Sequence, residues 1–150
     1  MQESTPESAR TWRDLSDQLT PAQILELQRE ERTGCSPGAL RWQARQYAQA
    51  ALGDILQGDI DAPADATEVH EWETGYHEDG SWSRTFKGTC RKAAAFTAEV
   101  FGVQNQDGST TREVHVCGGE DFLNSAQTRE LAAALLEAAD EVEQSAGQIP

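Results

Sequence analysis

The chain has 150 residues, 37% of them hydrophobic, with 26 Asp and Glu against 12 Lys and Arg and a formal net charge of −14. A chain of this length can bury a core of its own, so it needs neither disulfides nor metals to fold. The charge argues against direct binding to nucleic acid or to anionic membranes, because phosphates attract Lys and Arg and repel carboxylates.

The N-terminal residues 1–10 are polar and are predicted to form a disordered tail. They lack the basic and apolar segments of a signal peptide, and no apolar run is long enough to span a membrane. The remaining residues, 11–150, are predicted to form a single domain. The cysteines are odd in number and lack C-x-x-C spacing, which favours reduced thiols and a cytoplasmic location; they are Cys35, Cys90 and Cys117.

Helices are predicted over residues 11–56. Thr20 can cap the first backbone N–H groups of a helix, and Pro21 suits the first helical position. A second helix is expected from about Pro37 to Leu56, where apolar residues recur at helical spacing. Trp42 lies off that apolar stripe and is predicted to be exposed or to face a partner.

The turn-rich residues 57–66 are predicted to form a loop or linker. From residue 67 to 117 the apolar pattern alternates, which predicts a sheet of four strands around 67–72, 81–87, 94–104 and 110–117. Asp107-Gly108 between two strand-like runs is typical of a β-hairpin. In the last strand, Glu113 and His115 are expected on the solvated side of the sheet.

The final helix is predicted over residues 124–145, with Leu131, Leu135, Ala138 and Val142 on one side. Together these elements predict an α+β fold. It comprises two N-terminal helices, a four-stranded antiparallel β-meander and a C-terminal helix packed on the sheet.

Two stretches resemble small proteins encoded by actinobacteriophages and mycobacterial prophages. One is Thr11-Trp12-Arg13-Asp14-Leu15 through to Pro21-Ala22-Gln23-Ile24. The other is the hairpin from Gly102 to Ser109 with the helix around Leu131–Glu141; tryptophans are also expected where Trp72 and Trp82 lie. The resemblance implies a phage or prophage origin in an actinobacterial host. It assigns a function to no residue.

The densest set of potential metal ligands lies between residues 70 and 79. His70, Glu73 and His77 are the candidates for a divalent-cation site. Their spacing departs from the His-Glu-x-x-His pattern of zinc proteases, and on a strand His70 and Glu73 fall on opposite sides. A solvated acidic hairpin is the favoured interpretation, and no cofactor is expected.

Nucleophilic catalysis would require a thiol or hydroxyl beside a positioned base. His115 and Cys117 lie two residues apart on one predicted strand, and Cys90 is expected on a neighbouring strand. No cluster of basic residues is present to activate the thiolate. A buried or half-buried structural role is therefore the expectation for these cysteines.

Charge distribution is the most informative feature. No Lys or Arg occurs from Gln46 to Ser83, whereas nine carboxylates do. This excess can serve solubility alone, or it can attract a partner with a basic surface, in the extreme case by mimicking DNA. Exposed tryptophan at the border would suit binding, although a core role for Trp12, Trp72 and Trp82 is the favoured interpretation. The candidate partner-binding residues are Asp59, Asp61, Asp65, Glu68, Glu71, Trp72, Glu73, Glu78, Asp79 and Trp82.

The sequence therefore predicts a cytoplasmic, acidic accessory protein of a phage or prophage that binds a protein without catalysis. One alternative is a small metal-dependent enzyme that uses His70, Glu73 and His77. A second alternative is a structural component that associates with copies of itself.

Overall fold

The computed structural model describes residues 8–119 and 122–146. The chain divides into two compact units, Met1–Asp59 and Ile60–Pro150. The boundary lies within the predicted loop at residues 57–66. A single domain over 11–150 stays a prediction, because it concerns the relation between these units. The tail predicted at 1–10 falls largely outside the described residues.

The first unit is helical. It contains a 3₁₀ helix, Trp12–Gln18, followed by α1, Pro21–Arg32, and α2, Pro37–Gln57. Thr20 caps α1 as expected: its hydroxyl accepts from the Gln23 N–H at 3.3 Å, and the Gln23 side chain accepts from the Thr20 N–H at 2.9 Å. The core of this unit comprises Ala9, Trp12, Leu15, Leu19, Leu27, Leu40, Ala44 and Ala48.

Trp42, on α2, is 64% exposed, in agreement with its position off the apolar stripe. Trp12 has the opposite environment, since it is buried in the core of the first unit beneath the guanidinium of Arg13. That guanidinium also makes two hydrogen bonds to the Glu31 carboxylate, at 2.6 and 2.8 Å, and so ties the 3₁₀ helix to α1.

The second unit is an antiparallel sheet with one helix. In chain order its elements are β1 Glu68–Val69, β2 Glu73–Thr74, β3 Trp82–Ala93, β4 Phe96–Asn105, β5 Thr110–Gly118 and α3 Ser125–Ala146. The strand order is β1-β3-β4-β5, and β2 also pairs with β3. The α+β architecture with a C-terminal helix on the sheet is confirmed.

The predicted number of strands was wrong: four were predicted, and the structure has five among the described residues. The first predicted strand is split into β1 and β2, which pair with separate parts of β3. Strand β3 also extends six residues beyond its predicted end at Lys87, through a register shift between Lys87 and Cys90, and reaches Ala93. A tight turn at Ala94 then leads into β4, with the Ala94 backbone at φ +53°.

The register defines two faces of the sheet. We call the side covered by α3 the inner face and the opposite side the outer face. On the inner face, Phe86 and Val100 are fully buried, and Ala134 and Ala138 of α3 are buried against the sheet. A Cβ at Gly102 would collide with the Phe86 ring, so only glycine leaves room for the ring on the neighbouring strand.

Ion pairs also join the inner face to α3. The Arg91 guanidinium lies 2.6 Å from a Glu141 carboxylate oxygen and 3.3 Å from one of Glu137. Burial raises the pKa of Glu141, but the hydrogen bonds that it accepts from Arg91 and Thr89 outweigh this and hold the pKa below its usual value. A charged Glu141 is therefore part of the packing of α3.

Residues 60–66 form a loop, as predicted, and hydrogen bonds hold this loop on the sheet. Arg84 donates to the Ile60 carbonyl at 3.1 Å, and Gln104 donates to the Asp61 carbonyl at 2.8 Å. Arg112 makes two hydrogen bonds to the Asp65 carboxylate, at 2.7 and 2.8 Å. Three polar side chains from three strands thus hold this segment in place.

Candidate protein-binding surface

We call residues 68–79 the acidic segment. A buried tryptophan within it packs the segment against the fold. Trp72 is only 2% exposed, and the Arg84 guanidinium lies 4.6 Å from its ring centroid. Glu71 and Glu73, on either side of it, are exposed. Because neighbouring side chains of an extended chain point to opposite sides, burial of the indole directs both carboxylates to solvent. Trp72 is therefore a core residue that supports this surface from within, and it is not an exposed contact residue.

Glu68 begins the acidic segment and is partly neutralised. Its carboxylate accepts a hydrogen bond from the Lys87 ammonium at 3.0 Å, and the His70 imidazole lies 3.6 Å away. The hydrogen bond from Lys87 holds the pKa of Glu68 below its usual value. All three side chains are substantially exposed, so this pair contributes little to stability.

The far end of the segment is a turn with exposed Glu78 and Asp79. Asp79 accepts a hydrogen bond from the Ser81 backbone N–H at 2.9 Å, which lowers its pKa. Gly80 follows with φ +73°, a conformation that glycine adopts without strain. This local geometry keeps the Asp79 carboxylate charged and exposed.

The other candidate residues differ from one another in environment. Asp59 is exposed and ends the first unit, and Asp61 is exposed in the second. Asp65 is engaged by Arg112, whose hydrogen bonds lower the Asp65 pKa, so its charge is used within the fold. Trp82 is half-buried and pairs with Thr74 of β2.

The three candidate metal ligands do not converge on one point. His70 approaches Glu68, while His77 Nε2 lies 2.9 Å from the Asn105 side-chain oxygen. Glu73 is exposed on β2. Across residues 8–119 and 122–146, no three His, Cys, Asp or Glu side chains come close enough to hold a metal ion.

The thiols on the sheet are also placed differently from the expectation. Cys90 and Cys117 are exposed, and only Cys35 is half-buried. Cys90 and His115 both pair with Glu99 of β4, which places all three on the outer face in one row across the sheet. A buried structural role for Cys90 and Cys117 was therefore wrong.

The outer face adds two carboxylates that sequence reasoning left out of the candidate surface. Glu99 is half-buried and Glu113 is exposed, and both share a face with Glu68 and Glu73. Sequence reasoning missed them because it selected carboxylates from Gln46–Ser83, the stretch without Lys or Arg, and both residues lie outside that stretch. The alternation of Glu113 and His115 with valines was the available signal for this face.

No family model, curated protein or solved structure matches this chain significantly. Among residues 8–119 and 122–146, none of the helices combines the length and hydrophobicity of a membrane-spanning segment. The geometry of the second unit itself must therefore carry the functional argument.

Proposed function

We propose that this protein acts without catalysis, by binding a protein with a basic surface through the exposed carboxylates of the acidic segment. The observation that carries the proposal is the burial of Trp72, which leaves Glu71, between β1 and β2, and Glu73, on β2, exposed to solvent on either side of it. The packing of Trp72 fixes the backbone between the two residues, so mainly their side chains lose conformational freedom on binding, which lowers the cost of association. The net charge of −14 would speed the approach of a basic partner.

The biological setting belongs to the same proposal. The resemblance of the N-terminal stretch and of the hairpin with α3 to small actinobacteriophage and prophage proteins supports an accessory role in an infected or lysogenic host. Unpaired thiols at Cys35, Cys90 and Cys117 agree with a reducing cytoplasm.

The test is capture of a partner from an actinobacterial lysate, followed by affinity measurement with the purified partner. The variant carries Glu71→Lys and Glu73→Lys. The matched control carries Glu130→Lys and Glu143→Lys, two exposed positions on α3, and so has the same net charge. We expect the first variant to weaken binding at least about tenfold and the control much less. Equal losses would show that only overall charge matters.

A DNA-mimicking inhibitor is the sharper form of this proposal. In that case the protein should displace DNA from the captured partner, and the displacement should weaken as salt is raised from about 0.05 to about 0.5 M, because salt screens exposed charges. Displacement that does not change with salt would contradict electrostatic mimicry. Binding without any displacement of DNA would support the proposed protein binding and contradict DNA mimicry.

A further inference from the structure

Strand β5 lies at an edge of the sheet. Within the described residues it pairs only with β4, along its whole length of nine residues. The strand contains neither proline nor lysine and no bulge, and its inward-pointing charge, Arg112, is already bound by Asp65, so these common protections of edge strands are missing or engaged within the fold. Its row of outward backbone groups is therefore suited to the addition of another strand.

The hairpin shows which backbone groups face outward. The Asn105 N–H donates to the Ser109 carbonyl at 2.8 Å, and Gly108 has φ +84° at the end of the turn. Hydrogen-bonded pairs alternate along an antiparallel ladder, so Glu113 and His115 direct their backbone groups toward β4. Val114, between them, directs its N–H and C=O away from the sheet.

The sequence of β5 is complementary to itself about Val114. When two copies pair antiparallel as one continuous sheet, a two-fold axis at Val114 places Glu113 of each copy opposite His115 of the other. Each imidazole can then donate a hydrogen bond to a carboxylate, twice per pair of copies. Cross-strand pairs of this kind stabilise sheets, whereas like charges in the same positions destabilise them.

The surface around Val114 is concave. A cavity of about 300 Å³ is lined by Phe101, Glu113, Val114 and His115. Phe101 and Val114 are both half-buried, so apolar surface lies close to the outward backbone groups of β5. We propose that β5 is the interface of an antiparallel homodimer whose two sheets join at Val114. This inference does not depend on the proposed binding of a basic protein.

The experiment is sedimentation equilibrium of the full chain in about 0.15 M salt, from about 1 to about 100 μM, where dimers of moderate affinity are resolved. The wild-type mass is expected to rise from that of the 16.4 kDa chain to twice that value. A basic variant, E113K with H115K, places lysine opposite lysine in the dimer. An acidic variant, H115E with E99Q, places glutamate opposite glutamate. E99Q alone is the matched control, because Glu99 lies beside position 115 on β4.

We expect the dissociation constant to rise about tenfold in the basic and acidic variants and to stay unchanged in E99Q. Mixing the two variants should restore dimers, now as heterodimers, because each lysine then meets a glutamate. Circular dichroism of each variant verifies its fold, and should the acidic variant fail to fold, the basic variant and the wild type still decide the question.

A wild-type chain that stays monomeric at the highest concentration would overturn the proposal. So would dimers that the basic variant forms as well as the wild type does, since the interface would then lie elsewhere. A monomeric chain that binds an added extended peptide along β5 would also overturn it, in favour of strand addition by another protein.

Discussion

The two faces of one sheet use charge in different ways. On the inner face, the carboxylates of Asp65 and Glu141 are bound by Arg112 and Arg91, and all four side chains are at least partly buried. On the outer face and along the acidic segment, Glu73 and Glu113 are exposed. Each of these carboxylates contributes the same charge. One set stabilises the fold, and the other set is exposed and can bind another molecule.

The two environments indicate which carboxylates another molecule can bind. A carboxylate with a buried arginine partner cannot serve a second protein without breaking its own fold, because the arginine would be left without a counter-charge. Asp65 is therefore a structural residue although it lies in the acidic stretch. Glu71 and Glu73 bear the proposed function, and substitutions on the two faces should separate stability from binding.

The largest effect is expected on the inner face from Phe86→Ala. Phe86 is fully buried beneath Arg112, and removing the ring should lower the free energy of unfolding by about 3–5 kcal/mol. Phe122→Ala is the control, because Phe122 is 88% exposed and its loss should cost less than about 0.5 kcal/mol. Urea denaturation followed by circular dichroism measures both. Similar losses would show that the inner face is not the core of this unit.

A smaller loss is expected from Asp65→Asn, which removes the counter-charge of Arg112. The Arg112 side chain is only 9% exposed, so its two hydrogen bonds to Asp65 are poorly replaced by water. The free energy of unfolding should fall by about 1.5–3 kcal/mol. Glu68→Gln breaks an exposed pair with Lys87 and should produce no resolvable change. Equal losses of unfolding free energy in the two variants would contradict the distinction between structural carboxylates on the inner face and exposed carboxylates on the outer face.

The contribution of Asp65 should also depend on pH. Arg112 holds the pKa of Asp65 below its ordinary value, which is about 3.9 for an unfolded chain. A carboxyl group of this kind stabilises the fold above its unfolded pKa, and the stabilisation is lost as the pH falls through the lower folded-state pKa. The difference in unfolding free energy between wild type and D65N should therefore be constant above about pH 5 and shrink below about pH 4. A difference that grows on acidification would contradict this sign.

The mildest test needs no substitution. Cys90 and Cys117 are exposed, whereas Cys35 is half-buried in the helical unit. A small thiol reagent added to the native protein should therefore react with two thiols quickly and one slowly, and denaturation should abolish the difference. Mass spectrometry of the modified peptides identifies the positions. Fast reaction at Cys35 would contradict its partial burial in the helical unit, and slow reaction at Cys117 in dilute protein would mean that β5 is covered even in the monomer.

Local signals in the sequence predicted the elements that depend on near neighbours. Thr20 and Gln23 form the cap of α1 within a few residues, and the Asp107-Gly108 turn closes the hairpin between β4 and β5. Helix α3 was predicted over residues 124–145 with Ala138 on its apolar side, and the structure has a helix over Ser125–Ala146 in which Ala138 is buried. In each case the residues that determine the structure lie within a few positions of one another.

The features that were missed depend on partners distant in the chain. The binding of residues 60–66 requires Arg84, Gln104 and Arg112, which the sheet brings together from three strands. The turn at Ala94 contains no glycine, proline or asparagine, the residues from which a turn is usually predicted. Its positive φ follows from the pairing of β3 with β4. The environment of Trp72 likewise depends on Arg84, which only the fold places over its ring.

The strands β3, β4 and β5 follow one another in space in the same order as in the chain. Neighbouring strands can therefore pair soon after they are synthesised, since such hairpins form in about 1–10 μs. Helix α3 comes later in the chain, and ribosomes add about 5–20 residues per second. For a period on the order of seconds, the sheet would display Phe86 and Val100 without their cover. Newly made chains would then be most vulnerable to aggregation, and to chaperone capture, during the interval before α3 emerges.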